Sequence, residues 1–345
     1  MKEKTGWEKS IEKISPVLEL LRETYSVAIA LFKILIPAII VVKVLQEIGA
    51  VAVLSKVLEP VMSLFGLPGS MAIVWTTAMV TNIYGALAVL MLLIGDTPLS
   101  VAQMTVLSTM ILICHSLPVE LALTHRVGGH FLFLGVLRLF GASLAGGVLW
   151  QIYSHYGLLE AQAVVRWSAQ KVEGSIWDWC INQVNNLGFI LIVLFSLLTL
   201  MRFLNYVRFT EFLGKLLRPL LILMGISPKG ASIAVFGLLA GITFGSGLLL
   251  AEIKKSSIPA KDIVLVLSFL SLCHGMIEDT TLMFLFGAHY SGILVFRVVF
   301  AVAVLIIFSR LSFVNFELLQ PKSARSGRVN ADAELNSSDD AKNGK

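Results

Sequence analysis

Six stretches of this chain, residues 26–45, 101–121, 131–152, 187–204, 262–280 and 291–312, are almost wholly apolar for close to 20 residues each. A helix rises 1.5 Å per residue, so roughly 20 residues cross the ~30 Å hydrocarbon layer of a bilayer. Lipid offers no partner to backbone N–H and C=O groups, which restricts such segments to helices or closed barrels. The length and continuity of the blocks select helices. Composition agrees, because 57% of the 345 residues are hydrophobic and 14% are charged, against about 25% charged in a soluble domain. A formal net charge of +5 does not point to nucleic acid, since most Lys and Arg flank apolar blocks where they orient the chain in the membrane.

Polar segments divide the chain. Residues 1–25 carry Trp7, Ile11, Ile14, Leu18 and Leu21 at helical spacing with charges on the other faces, which predicts an amphipathic surface helix. Residues 153–185 form a linker with interfacial Trp167, Trp177 and Trp179. Residues 313–345 are polar and predict a disordered cytoplasmic tail. Cys114, Cys180 and Cys273 suggest no disulfide framework.

The two membrane portions, 26–152 and 186–312, are copies of one another. A constant offset of 159 aligns Pro60 with Pro219, Gly66 with Gly225, Cys114-His115 with Cys273-His274, Gly128 with Gly287, His130 with His289 and Arg138 with Arg297. Shared Leu or Val would mean little in so apolar a chain, but Cys, His and Arg in one register indicate duplication. Each half also has an ambiguous block, 68–94 and 229–253, with polar or Gly-rich centres at Thr81-Asn82-Ile83-Tyr84-Gly85 and Gly241–Gly247. If both blocks turn back as hairpins, each half crosses three times and the halves are inverted; 20 Lys/Arg then lie on the cytoplasmic side and four opposite. If both span, the division is 16 against eight, so the positive-inside rule favours inversion. The expected fold is an all-α integral membrane protein of two inverted repeats, each with three transmembrane helices, a re-entrant or broken-helix hairpin and an interfacial helix.

Ahead of each broken block runs an apolar segment, an interfacial helix and a turn: Ile36-Pro37, Leu58-Glu59-Pro60 and Gly66-Leu67-Pro68, then Leu217-Arg218-Pro219 and Gly225-Ile226-Ser227-Pro228. At these residues the chain resembles the Gate, or nucleoside-recognition, family, which includes domains of concentrative nucleoside transporters, the ferrous-iron permease and spore-maturation membrane proteins. The resemblance implies a membrane transport core; the GTP-binding domain of a complete ferrous-iron permease is not found.

Polar residues are costly in hydrocarbon and therefore mark candidate sites. His115 and Glu120 in the first half, and His274, Glu278 and Asp279 in the second, are candidate solute ligands. So are Thr81, Asn82, Tyr84, Thr243 and Ser246 at the expected hairpin tips, where half-helix ends expose amides and carbonyls. Pro118 cannot donate to the carbonyl of Cys114, which predicts a break beside His115. Arg138 and Arg297 lie about seven residues inside their crossings, too deep to reach water easily, and need a carboxylate or exposed carbonyls: Glu120 for Arg138, Asp279 or Glu278 for Arg297, with contact to a solute anion as the alternative.

No nucleophile motif or phosphate loop indicates an enzyme. The expected function is a secondary permease for a small polar solute, nucleoside-like by the resemblance, working by alternating access in the bacterial inner membrane with both termini cytoplasmic. It would need no cofactor beyond a coupling H⁺ or Na⁺, and homo-oligomers are compatible with it. The alternatives are a divalent-metal permease using Cys114, His115, Cys273 and His274, and a non-transporting scaffold.

Overall fold

The computed structural model describes residues 6–164, 176–228 and 259–311, single residues between 230 and 238, and Phe316, Leu318 and Leu319, with side chains from Leu18 onward. Thr243 and Ser246, and most of the second ambiguous block, lie outside the described residues. Everything described is helix or connecting turn apart from one isolated bridge between Ser100 and Gln162. In order the helices are α1 (Gly6–Glu47), α2 (Ala50–Ser63), α3 (Met71–Val80), α4 (Ile83–Leu93), α5 (Val101–Ile113), α6 (Leu117–Arg126), α7 (Phe131–His155), α8 (Ile176–Tyr206), α9 (Phe209–Leu223), α10 (Ala260–Leu272), α11 (Glu278–Leu285) and α12 (Ser291–Arg310). The first turns of α12, Ser291–Phe296, are wound as a π-helix.

Among the described residues, four segments are long and apolar enough to cross a membrane: Val101–Arg126, Phe131–His155, Trp177–Leu204 and Ser291–Arg310. Leu35–Glu47 and Ala50–Ser63 pass the same test only when taken together, and they are bent by 92° at their junction. The expected span at 262–280 is interrupted, because α10 stops at Leu272 and α11 starts at Glu278. The expected surface helix and first crossing are continuous in α1, which has no backbone break near residue 25. Its early part packs on α8, where Leu20, Ala28, Leu194 and Leu198 cluster and Arg202 pairs with Glu23 at 2.8 Å. Exposed apolar side chains on α7 (Leu132, Phe140, Leu144) and α12 (Val295, Val299, Ile307) suit contact with acyl chains.

The first ambiguous block is a hairpin. Asn82 is extended and its side chain accepts from Gly85 N at 2.9 Å, capping α4 as α3 ends at Val80. Ser70 before α3 and Thr97 after α4 are hydrogen-bonded at 3.4 Å. As one straight helix the block would hold those residues about 40 Å apart. Gln103 of α5 donates to Gly66 O at 2.7 Å, so the open end of the hairpin and the start of α5 share one end of the molecule. Gly66 is left-handed (φ 66°) and a Cβ there would collide with the Trp150 ring, which excludes any larger residue.

The duplication extends to the backbone. Helix α5 begins and ends 159 residues before α10, and left-handed residues recur at that offset: Gly49 and Arg208, Gly66 and Gly225, Ser116 and Gly275, Gly128 and Gly287. Helices α7 and α12, the corresponding third helices, lie antiparallel. Phe133 near the start of α7 stacks on Phe308 near the end of α12 (5.5 Å), while Tyr153 near the end of α7 meets Ser291 at the start of α12 (2.7 Å). Small residues admit close packing: Gly146 of α7 lies against Met110 of α5, and Gly141 against Leu272 of α10.

Candidate functional site

Two broken helices meet at the centre. Helix α5 gives way to an irregular Cys114–Ser116 before α6, and α10 to Cys273–Ile277 before α11. The devices differ. In the first half Pro118 enters α6 and Ser116 takes φ 49°; in the second Ile277 replaces the proline, and Gly275, which tolerates φ 58°, makes the turn. Ser116 N donates to Ala78 O at 2.8 Å and so ties the first break to α3 of the hairpin.

Each break presents a histidine whose ring returns to its own helix. His115 Nδ1 lies 2.9 Å from Ile111 O, and His274 Nδ1 lies 2.7 Å from Leu270 O, the equivalent carbonyl. The two rings face each other across the halves with centroids 5.0 Å apart. Glu120, buried on α6, joins them: its Oε1 is 3.1 Å from His115 Nε2 and 3.4 Å from His274 Nε2, while its Oε2 pairs with Arg138. The Arg138–Glu120 pair is therefore formed as the sequence predicts. One ligand atom from each of His115, His274 and Asp279 lies within 4.8 Å of the others.

Both arginines are 1% exposed and both use Nε on the last carbonyl of a broken helix, Arg138 on Ile113 O (2.9 Å) and Arg297 on Leu272 O (3.3 Å). Beyond that they diverge. Glu120 has a counterpart 159 residues on in Asp279, one methylene shorter, and Arg297 instead donates a second time to the carbonyl of His274. Of the two anchors that the sequence allows for Arg297, a carboxylate or freed carbonyls, the broken helix supplies the carbonyls. Arg138 Nη2, Arg297 Nη1 and His274 Nε2 are buried without a hydrogen-bond partner.

The hairpin tip reaches the same region. Tyr84 Oη donates to Glu278 Oε1 at 3.4 Å, and Thr81 Oγ1 returns to Thr77 O at 2.6 Å. Cys114 and Cys273 are buried at the breaks as free thiols, and neither belongs to the His115–His274–Asp279 group. Thus Asn82, Tyr84, His115, Glu120, Arg138, His274, Glu278, Asp279 and Arg297 sit on adjoining elements, with Thr81 bonded back into α3 and Thr243 and Ser246 undescribed. What sequence reading did not anticipate is that the duplicated histidines touch and share one carboxylate. The signal was present in the duplication itself, because residues on the axis relating two copies meet their own counterparts.

Residues 28–127 match the family model Gate, described as nucleoside recognition. The uncharacterized membrane protein YvoD of Bacillus subtilis (strain 168) is 26% identical over 279 residues, covering 78% of this chain and 86% of the relative. No solved structure matches the chain. The helix bundle, its apolar spans and these matches lead to one statement: this is a membrane protein whose residues 28–127 are similar to the Gate family.

Proposed function

We propose that the protein is a secondary permease for a small polar solute, built of two inverted repeats that rock against each other. The observation that carries this reading is the convergence of duplicated polar side chains, His115 with His274 and Glu120 with Asp279, at broken helices deep in an apolar bundle. Broken helices at the junction of repeats are where such transporters place solute and ion sites. Antiparallel α7 and α12 support inversion, and the joined ends of the first block support a re-entrant hairpin whose tip residue Tyr84 reaches Glu278 of the site. The unpartnered guanidinium nitrogens of Arg138 and Arg297 are donors available to a solute. The Gate match favours nucleosides as the first solutes to test.

Purified protein in liposomes should accumulate labelled nucleoside faster than empty liposomes when a proton or Na⁺ gradient is imposed. His274→Gln should lower the rate at least tenfold while the protein remains folded. Full activity in that variant would remove the site from the mechanism, and no flux of any nucleoside or nucleobase under either gradient would overturn the permease reading.

In the bacterial inner membrane the inverted arrangement puts both termini and α9 in the cytoplasm and the start of α8 outside. In a Cys114→Ser, Cys273→Ser background, an impermeant thiol reagent added to intact cells should label Cys180. With Cys180 also changed to Ser, Lys215→Cys should be labelled only after the membrane is opened. The reverse pattern would reject this topology.

A further inference from the structure

We propose that His115, His274, Asp279 and Glu120 hold one divalent transition-metal ion between the two halves of the chain. The inference deepens the permease reading by naming an ion class for the same site, and it rests on the same convergence of the repeats. The argument begins with the tautomers. A main-chain carbonyl only accepts, so the contacts of His115 Nδ1 with Ile111 O and of His274 Nδ1 with Leu270 O place the hydrogen on Nδ1 in each ring. With Nδ1 committed to a carbonyl, Nε2 is the ring nitrogen left to act as a ligand. Nε2 of each ring lies close to one carboxylate oxygen, Glu120 Oε1, at 3.1 and 3.4 Å. Two ring nitrogens gathered on one carboxylate oxygen need a positive charge among them, a proton or a metal ion, and His274 Nε2, on a side chain 3% exposed, has no hydrogen bond.

The spacing fits a metal. Nitrogen and oxygen ligands at about 2.0–2.2 Å from a tetrahedral ion lie roughly 3.3–3.6 Å from one another. The pairs observed are close to that, and Asp279 lies within 4.8 Å of the ligand atoms of both histidines as the fourth candidate ligand. The surroundings are those a metal site requires, since each histidine is oriented by a carbonyl at Nδ1 and Glu120 is held at its other oxygen by Arg138. Two nitrogens and two carboxylate oxygens favour Zn²⁺, Co²⁺, Fe²⁺ or Mn²⁺ over Ca²⁺ and Mg²⁺, which prefer all-oxygen sets, and over Cu⁺, which prefers sulfur. One histidine comes from each half, so relative motion of the halves would open the site.

Full-length protein in lipid nanodiscs, stripped with chelator, should bind one Zn²⁺ per chain in titration calorimetry. His115→Gln and His274→Gln should each weaken binding by more than the roughly 10–100-fold typical of losing a partner outside the ligand sphere. Cys114→Ser and Cys273→Ser should leave it unchanged. Because a buried variant can fail to fold, the spectrum of the unaltered chain with Co²⁺ decides independently. Intense visible d–d bands without near-ultraviolet thiolate charge transfer support the ligand set; thiolate bands, or no saturable binding of Zn²⁺ or Co²⁺, overturn it. Nucleoside flux without saturable metal binding would sink the ion site and spare the permease, whereas metal binding with no flux of metal or nucleoside would do the opposite.

Discussion

Arg138→Leu and Glu120→Leu should each destabilise the protein by about 3–5 kcal/mol, and the double variant should recover much of that loss. Arginine keeps its proton in proteins, so it cannot escape burial by becoming neutral. Replacing Glu120 leaves the Arg138 guanidinium buried with Ile113 O as its remaining hydrogen-bond acceptor. Replacing Arg138 leaves Glu120 beside two imidazoles with no permanent positive charge against it. Removing both takes away the uncompensated charge. Thermal unfolding of the four proteins in one detergent gives the coupling directly, and losses that merely add would show that the contact contributes no pairing energy. Activity separates the roles: a double variant that is stable and still transports makes the pair structural, while a stable and inactive one assigns the pair to the site.

Arg297→Leu should also be severe, by a different route. Its guanidinium satisfies the carbonyls of Leu272 and His274 at the end of α10, and each buried acceptor left without a donor costs about 1–3 kcal/mol. Changing Asp279 to Leu as well should not restore stability, because no ion pair joins Asp279 to Arg297 among the described residues. Lysine should not substitute, since one ammonium on a flexible stem cannot reproduce the fork that reaches two carbonyls. Measured by the same unfolding assay, rescue by Asp279→Leu as large as that expected for the Arg138–Glu120 pair would mean that the two halves use their arginines alike.

Several features of the site are legible in the sequence alone. Arg138, too deep in its crossing to reach water, calls for a carboxylate or exposed carbonyls, and it uses both, Glu120 and the carbonyl of Ile113. Pro118 announced the first break because a missing N–H frees a carbonyl wherever it occurs. The second break has no such marker in Ile277 and depends on Gly275, whose left-handed backbone is available to glycine but not demanded by it. The sequence allows Arg297 either Asp279 or freed carbonyls, and the spacing of residues along the chain does not choose between them.

Hydrophobic length, the 159-residue register and the isolated buried charges are properties of the chain that hold in any conformation it adopts in a membrane. They were enough to settle an all-helical membrane protein of two related halves with candidate polar residues at breaks. That α3 and α4 of the first block fold back on each other was decided by tertiary contacts, Ser70 with Thr97 and Gly66 with Gln103, which a pattern of apolar residues along one segment does not specify. The meeting of His115 with His274 on one glutamate was likewise decided in three dimensions. Sequence spacing governs neighbours on one helix, whereas this contact depends on where two copies of the same fold pack against each other.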